Sequence, residues 1–157
     1  MIQKLKKRLK DQKGMTLIEL LAVIVILGII AAIAIPSILG LIDNSKKDAH
    51  VANAQQMVSA SRNAVASNDS VLTWAPNTPS TGKEQAVVKL EDLITKGYVE
   101  RFDDPTDKAG YDTDASTVTI VRTGKDATYT VKLVGKTGSK VHINADSKSL
   151  GRDVVTP

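Results

Sequence analysis

The segment Lys13-Gly14-Met15-Thr16-Leu17-Ile18-Glu19-Leu20-Leu21 leads into a run without a charged side chain, Leu20 to Ile42, 23 residues long. Wound as an α-helix at ~1.5 Å per residue, such a run reaches about 35 Å, enough to cross the hydrocarbon core of a bilayer. It exceeds the apolar core of a secretory signal, about 7–15 residues, and no small-residue cleavage site closes it with a turn. Bases precede the run and almost none follow it directly, which predicts a cytoplasmic N-terminus and an outer C-terminal domain. Glu19 stands at its border. A carboxylate in hydrocarbon costs about 2.5–3.5 kcal/mol, so Glu19 either lies at headgroup level or meets a cation. Gly28, Pro36 and Gly40 interrupt the helical propensity, and Pro36 removes a backbone donor; a kinked transmembrane helix accounts for them.

The rest of the composition excludes several classes. The chain has 157 residues, 42% hydrophobic and 24% charged, with no cysteine. Disulfide frameworks and thiolate zinc sites are therefore ruled out. The net charge of +4 is local: Met1–Gly14 hold six bases and one acid, the remainder 15 bases and 16 acids. A basic nucleic-acid face is thus not indicated. Lys125, Lys132, Lys136 and Lys140 read as a solvated strand face, so DNA is not an indicated partner. No Gly-x-Ser-x-Gly or phosphate-loop pattern occurs. His50 and His142 lie far apart in the sequence and read as solvated or packing residues, so no catalytic pair and no enzyme activity are expected.

Beyond Ile42 the helix continues. Val51, Ala54, Val58, Ser61 and Val65 recur at three- and four-residue steps, widened by Met57 and Ala64, which predicts an amphipathic half over 43–68. Val71 to Lys83 reads as a loop with Trp74 covering part of the core. Ala86 to Lys96 reads as a short helix with Val87, Leu90, Leu93 and Ile94 inward and Gly97 closing it. Three strands follow: Thr117–Arg122 with Val118 and Ile120 inward, Thr128–Val134 with Tyr129, Val131 and Leu133, and Lys140–Asn144 with Val141 and Ile143. Asp146 to Pro157 reads as a surface flap. The fold class is α+β, a long N-terminal helix on a small antiparallel sheet of three to four strands. The parts are 1–14 (basic leader), 15–42 (transmembrane helix), 43–68 (amphipathic half) and 69–157 (globular head). Asp103, Asp104, Asp107, Asp112 and Asp114 cluster beside Gly110. Such a loop suits calcium or, without EF-hand spacing, solvent alone; no cofactor is required.

Lys13 to Leu21, followed by the apolar run to Ala34-Ile35-Pro36-Ser37, resembles the class III signal of type IV pilins and pseudopilins. Leu93 to Pro105, with Gly97-Tyr98 and Asp104-Pro105, resembles a segment of their heads. Two details depart from the common pattern: Met15 stands where Phe is usual, and the leader is long. The resemblance implies the pilin fold and cleavage between Gly14 and Met15 by a prepilin peptidase. It also implies N-methylation of Met15 by the same enzyme, and pairing of Glu19 with the terminal ammonium of a neighbouring subunit. Gly28 to Pro36 would loosen on assembly. Many relatives pin the tail with a disulfide; here hydrogen bonds or a metal must do so. The implied partners are copies of the chain itself, the peptidase and methyltransferase, the assembly platform and its ATPase, and the membrane before assembly. The precursor is then a single-pass membrane protein and the product an extracellular filament. The leading reading is a major pilin serving adhesion, motility or aggregation. The alternatives are a pseudopilin of competence DNA uptake or type II secretion, and a monomeric membrane-anchored binding protein.

Overall fold

The computed structural model describes residues 16–76 and 82–156. Helix α1 spans Leu17–Ala66 and is helical at every residue, Gly28, Pro36 and Gly40 included. The chain divides into two units, Met1–Leu41 and Ile42–Pro157. In the first, the large apolar side chains from Leu17 to Leu41 are all exposed, Leu17 at 84% and Ile33 at 73%. This helix is long and apolar enough to cross a membrane.

The second unit follows the expected α+β plan. Among the described residues, five strands form one antiparallel sheet in sequence order: β1 Ala75–Pro76, β2 Lys83–Lys89, β3 Thr117–Thr123, β4 Asp126–Val134 and β5 Val141–Asp146. Helix α2, Leu90–Thr95, follows β2 directly. The strand count is one above the upper expectation; beyond the three strands named from the sequence, β1 and the start of β2 come from the segment read as a loop, and the rest of β2 from the segment read as helix. Ala86–Lys89 belongs to β2, which pairs with β3 from Lys83↔Thr123 to Lys89↔Thr117. In β2, Ala86 and Val88 point inward, whereas Val87, expected inside, is 49% exposed. Two adjacent β-branched residues favour a pleated surface over a helix, and seven partners on β3 settle the choice.

The C-terminal part of α1 lays its predicted stripe into the core. Ala54, Met57, Val58, Ser61 and Ala64 are buried, while Val51 and Val65 are half-buried against them. Facing residues come from alternate positions: Val118 and Ile120 on β3, Tyr129, Val131 and Leu133 on β4. This is the period-2 burial of a sheet with one wet face. Ser61 does not leave a buried hydroxyl unmade, since its Oγ donates to the Met57 carbonyl at 2.9 Å.

Both helices end by the same device. Asn68 takes φ +51° after α1, and Gly97 takes φ +75° after α2. The amide of Asp69 donates to the Ala64 carbonyl and that of Tyr98 to the Leu93 carbonyl, the paired closure that satisfies the last free carbonyls. Tyr98 then donates its hydroxyl to Asp69 Oδ2 at 2.9 Å, tying the two helix ends together. Trp74 is half-buried against the core, with the Arg122 guanidinium 3.9 Å above its ring.

The last strand departs from simple alternation. Leu133 pairs with Ile143 and Val134 with Val141, so His142 is the extra residue of a β-bulge. A bulge re-aims one side chain. Here it corrects the expected face: Val141 is 38% exposed and His142 is buried. The tail lies at the surface and is held there by hydrogen bonds and packing. Arg152–Val154 form a 3-10 turn, Val155 is buried, and the Thr156 amide donates to the His142 carbonyl at 2.9 Å. Arg152 adds a two-pronged ion pair with Asp48.

Candidate functional site

At the start of α1, Thr16 precedes the first helical turn and Glu19 closes it. The Thr16 amide donates to Glu19 Oε2 at 2.7 Å, the Thr16 hydroxyl donates to the same oxygen at 2.8 Å, and the Glu19 amide donates to Thr16 Oγ1 at 3.3 Å. This reciprocal exchange is a capping box, written in the sequence as Thr-x-x-Glu. It makes use of two amides that a helix start otherwise leaves unpaired. It also fixes the one acidic residue of the apolar segment at its very edge. The carboxylate is exposed, as are the apolar side chains that follow. Gly14 and Met15, the expected cleavage and methylation positions, lie outside the described residues. Gly28 and Pro36, expected to give flexibility, are helical here.

A family model for the prokaryotic N-terminal methylation motif matches residues 9–35. The chain carries a prepilin-type signal. The matched region includes Gly14, Met15, Glu19 and the first part of the apolar helix, and it is the class III signal of type IV pilins and pseudopilins. It supports a pilin- or pseudopilin-like protein, processed by a prepilin peptidase, and fits a membrane-anchored precursor that later assembles. No solved structure matches the chain.

The second unit holds another constellation. The five acidic residues considered for calcium are not gathered around one point. Asp114 pairs with Lys89 at 2.9 Å. Asp112 Oδ1 accepts the amides of Asp114 and Ala115. Asp107 accepts the amides of Ala109 and Thr137; the Thr137 side chain first, then these amides, hold its carboxyl below the usual range. Asp103 is exposed, and its carbonyl accepts from Asn53. Only Asp104 turns inward, where its side chain is fully buried.

Asp104 meets both histidines. Its Oδ1 accepts the Thr106 amide and hydroxyl, each at 2.7 Å, and the Asp107 amide at 3.0 Å. That turn fixes the carboxylate, with Oδ2 facing His142 Nε2 at 3.1 Å and Oδ1 facing His50 Nε2 at 3.8 Å. The imidazoles of His50 and His142 stack with centroids 4.4 Å apart. Of the two roles expected for these histidines, solvated or packing, the structure fits the second: both rings are buried and lie against each other. The Tyr111 hydroxyl lies 2.6 Å from His50 Nδ1 and accepts from Asn53 Nδ2 at 3.3 Å. Burial first, then the proximity of His142, pushes His50 down to about 4, with Asp104 opposing. Burial likewise raises the Tyr111 phenol above its ordinary value. One signal in the sequence pointed here: His50 precedes Ala54 by four residues and Met57 by seven, on the apolar stripe itself.

Proposed function

We propose that this protein is the structural subunit of a type IV pilus, a major pilin that polymerises through its apolar N-terminal helix. The observation that carries the reading is the run of exposed apolar side chains from Leu17 to Ile42 directly behind an edge carboxylate, within a prepilin-type signal. Such a surface is stable only in lipid or against other apolar helices. Cleavage after Gly14 places a new ammonium beside Glu19 of a neighbouring copy, and that pairing lets a carboxylate enter an apolar filament core. The protein is not an enzyme on this reading; the peptidase, methyltransferase and assembly ATPase are separate chains. The surface filament serves adhesion, motility or aggregation.

The test is peptide and intact-mass spectrometry on filaments sheared from cells. An abundant chain beginning at N-methylated Met15 is the expected result. A processed chain kept in the envelope and absent from sheared filaments would point to a pseudopilin of uptake or secretion. An uncut chain found only in the membrane refutes assembly altogether.

A further inference from the structure

Three metal-ligating side chains meet inside the head, each from a different element: His50 from α1, Asp104 from the loop before β3, His142 from the bulge in β5. One ligand atom of each lies within 4.8 Å of the others, and the three side chains are 0%, 0% and 3% exposed. Among the described residues this is the one such group.

The surrounding hydrogen bonds prepare the ligand atoms. The Thr156 carbonyl can only accept, so His142 Nδ1, 3.0 Å away, carries the hydrogen. In the neutral ring Nε2 then presents its lone pair to Asp104 Oδ2, 3.1 Å away. Asp104 Oδ2 is buried and receives no hydrogen bond, while Oδ1 takes three. Two lone pairs facing one another in a dry interior repel unless a proton or a metal cation stands between them. With His50 Nδ1–H donating to the Tyr111 hydroxyl, His50 Nε2, otherwise 3.4 Å from Thr106 Oγ1, keeps its lone pair for an ion.

We propose that His50, Asp104 and His142 form a site for a divalent transition ion of the zinc class, which clamps α1, the Asp103–Asp107 loop and β5 together.

Two imidazole nitrogens and one carboxylate oxygen suit zinc, whereas calcium takes oxygen ligands. The ion therefore differs from the one the acidic loop suggested. Ligands about 2.0–2.1 Å from a tetrahedral ion lie about 3.4 Å apart. His142 Nε2 and Asp104 Oδ2 are already that close, and His50, whose ligand atom lies within 4.8 Å of both, has to be drawn inward to complete the triangle. Gly135 leaves the space beside them open: a Cβ there would stand 2.6 Å from His142 Nε2 and 3.3 Å from Asp104 Oδ2. Burial on this scale points to a structural ion, holding the cysteine-free tail where a covalent staple is absent.

The test uses the full-length chain in detergent micelles, stripped with a chelator and titrated with Co2+. One equivalent should develop the visible bands of a four-coordinate ion, a water completing the three protein ligands, and one equivalent of Zn2+ should bleach them. Zn2+, but not Ca2+ at the same concentration, should raise the melting midpoint. His50→Gln and His142→Gln should each weaken Co2+ binding more than about a hundredfold, beyond the cost of losing a supporting hydrogen bond. X-ray absorption at the zinc edge of the unmutated protein, which depends on no variant folding, should show two imidazoles. The proposal fails if Co2+ gives only the spectrum of the hydrated ion, or if both variants keep the visible bands. It fails equally if Ca2+ alone stabilises, or if the edge spectrum lacks imidazole scattering.

Discussion

Replacing Gly135 by alanine adds one methyl group at the tightest place in the head. The new carbon would lie 2.6 Å from His142 Nε2, about an ångström inside ordinary contact, and 3.3 Å from Asp104 Oδ2. The ring has little freedom to retreat, being stacked on His50 and bonded through Nδ1 to Thr156. Gly135 does not have a positive φ, so the backbone itself accepts alanine. Overpacking of this kind costs about 1–3 kcal/mol, and the rigid ring places the cost near about 3. Loss of glycine freedom in the unfolded chain returns about 0.4–1 kcal/mol, leaving a net loss of about 2. For a domain of this size that lowers the melting midpoint by about 6–10 °C. Chelator-treated full-length protein, followed through Trp74 fluorescence, provides the assay. In the background His142→Ala the obstructing ring is gone, so the same Gly135→Ala change should cost little, a coupling of about 2 kcal/mol. Gly135→Ala within about 0.5 kcal/mol of the parent, or strict additivity with His142→Ala, would refute the steric argument.

Leu133→Ala empties a fully buried site on β4 and should cost about 2–5 kcal/mol by the same melting assay; a loss under about 1 would mean that the core closes around the gap. Glu19→Ala removes the capping box at the start of α1. It should leave precursor in the membrane while lowering the sheared-filament yield, and unchanged yield on quantitative blotting would discard the assembly role of Glu19. The Asp69 carboxyl is held below its ordinary value of 3.8 by the Val71 amide first, then the Tyr98 hydroxyl and Lys96. Its contribution is complete above that value and is lost as pH falls through the lower folded value, so Asp69→Asn should flatten the acid side of a stability–pH profile below about pH 4. A profile parallel to the parent's would remove Asp69 from the account.

What could be read from the sequence was local. The apolar run, its Thr-x-x-Glu start and the stripe through Ala54, Val58 and Ser61 repeat within one or two helical turns, so neighbours in sequence are neighbours in space. Val118 and Ile120, with Tyr129, Val131 and Leu133, showed their faces by strict alternation. Ala86–Lys89 did not, because four apolar or long side chains before Leu90 fit a helix start as well as a strand. The tie was broken by β3, far along the chain. His142 was hidden for a related reason: a single inserted residue reverses the face of Val141, and a bulge is a property of two strands rather than one. His50 was visible as a polar residue on an apolar stripe, but its partners lie on a loop and a strand that no spacing rule connects to it.

The terminal residues also bear on how such a protein stays selective in its contacts. A sheet ends in rows of free amides and carbonyls, which any extended chain can extend. On the β5 side, the Thr156 amide already occupies the His142 carbonyl, so the closing segment lies along part of that row. On the other side, β1 is two residues long and one of them is Pro76, which has no amide to offer. The row beside β5 is thereby partly occupied, and β1, which screens only Glu84 and Gln85 of β2, offers little template of its own. A subunit proposed to crowd against many copies of itself can then join them through its helix without its heads knitting into a continuous sheet.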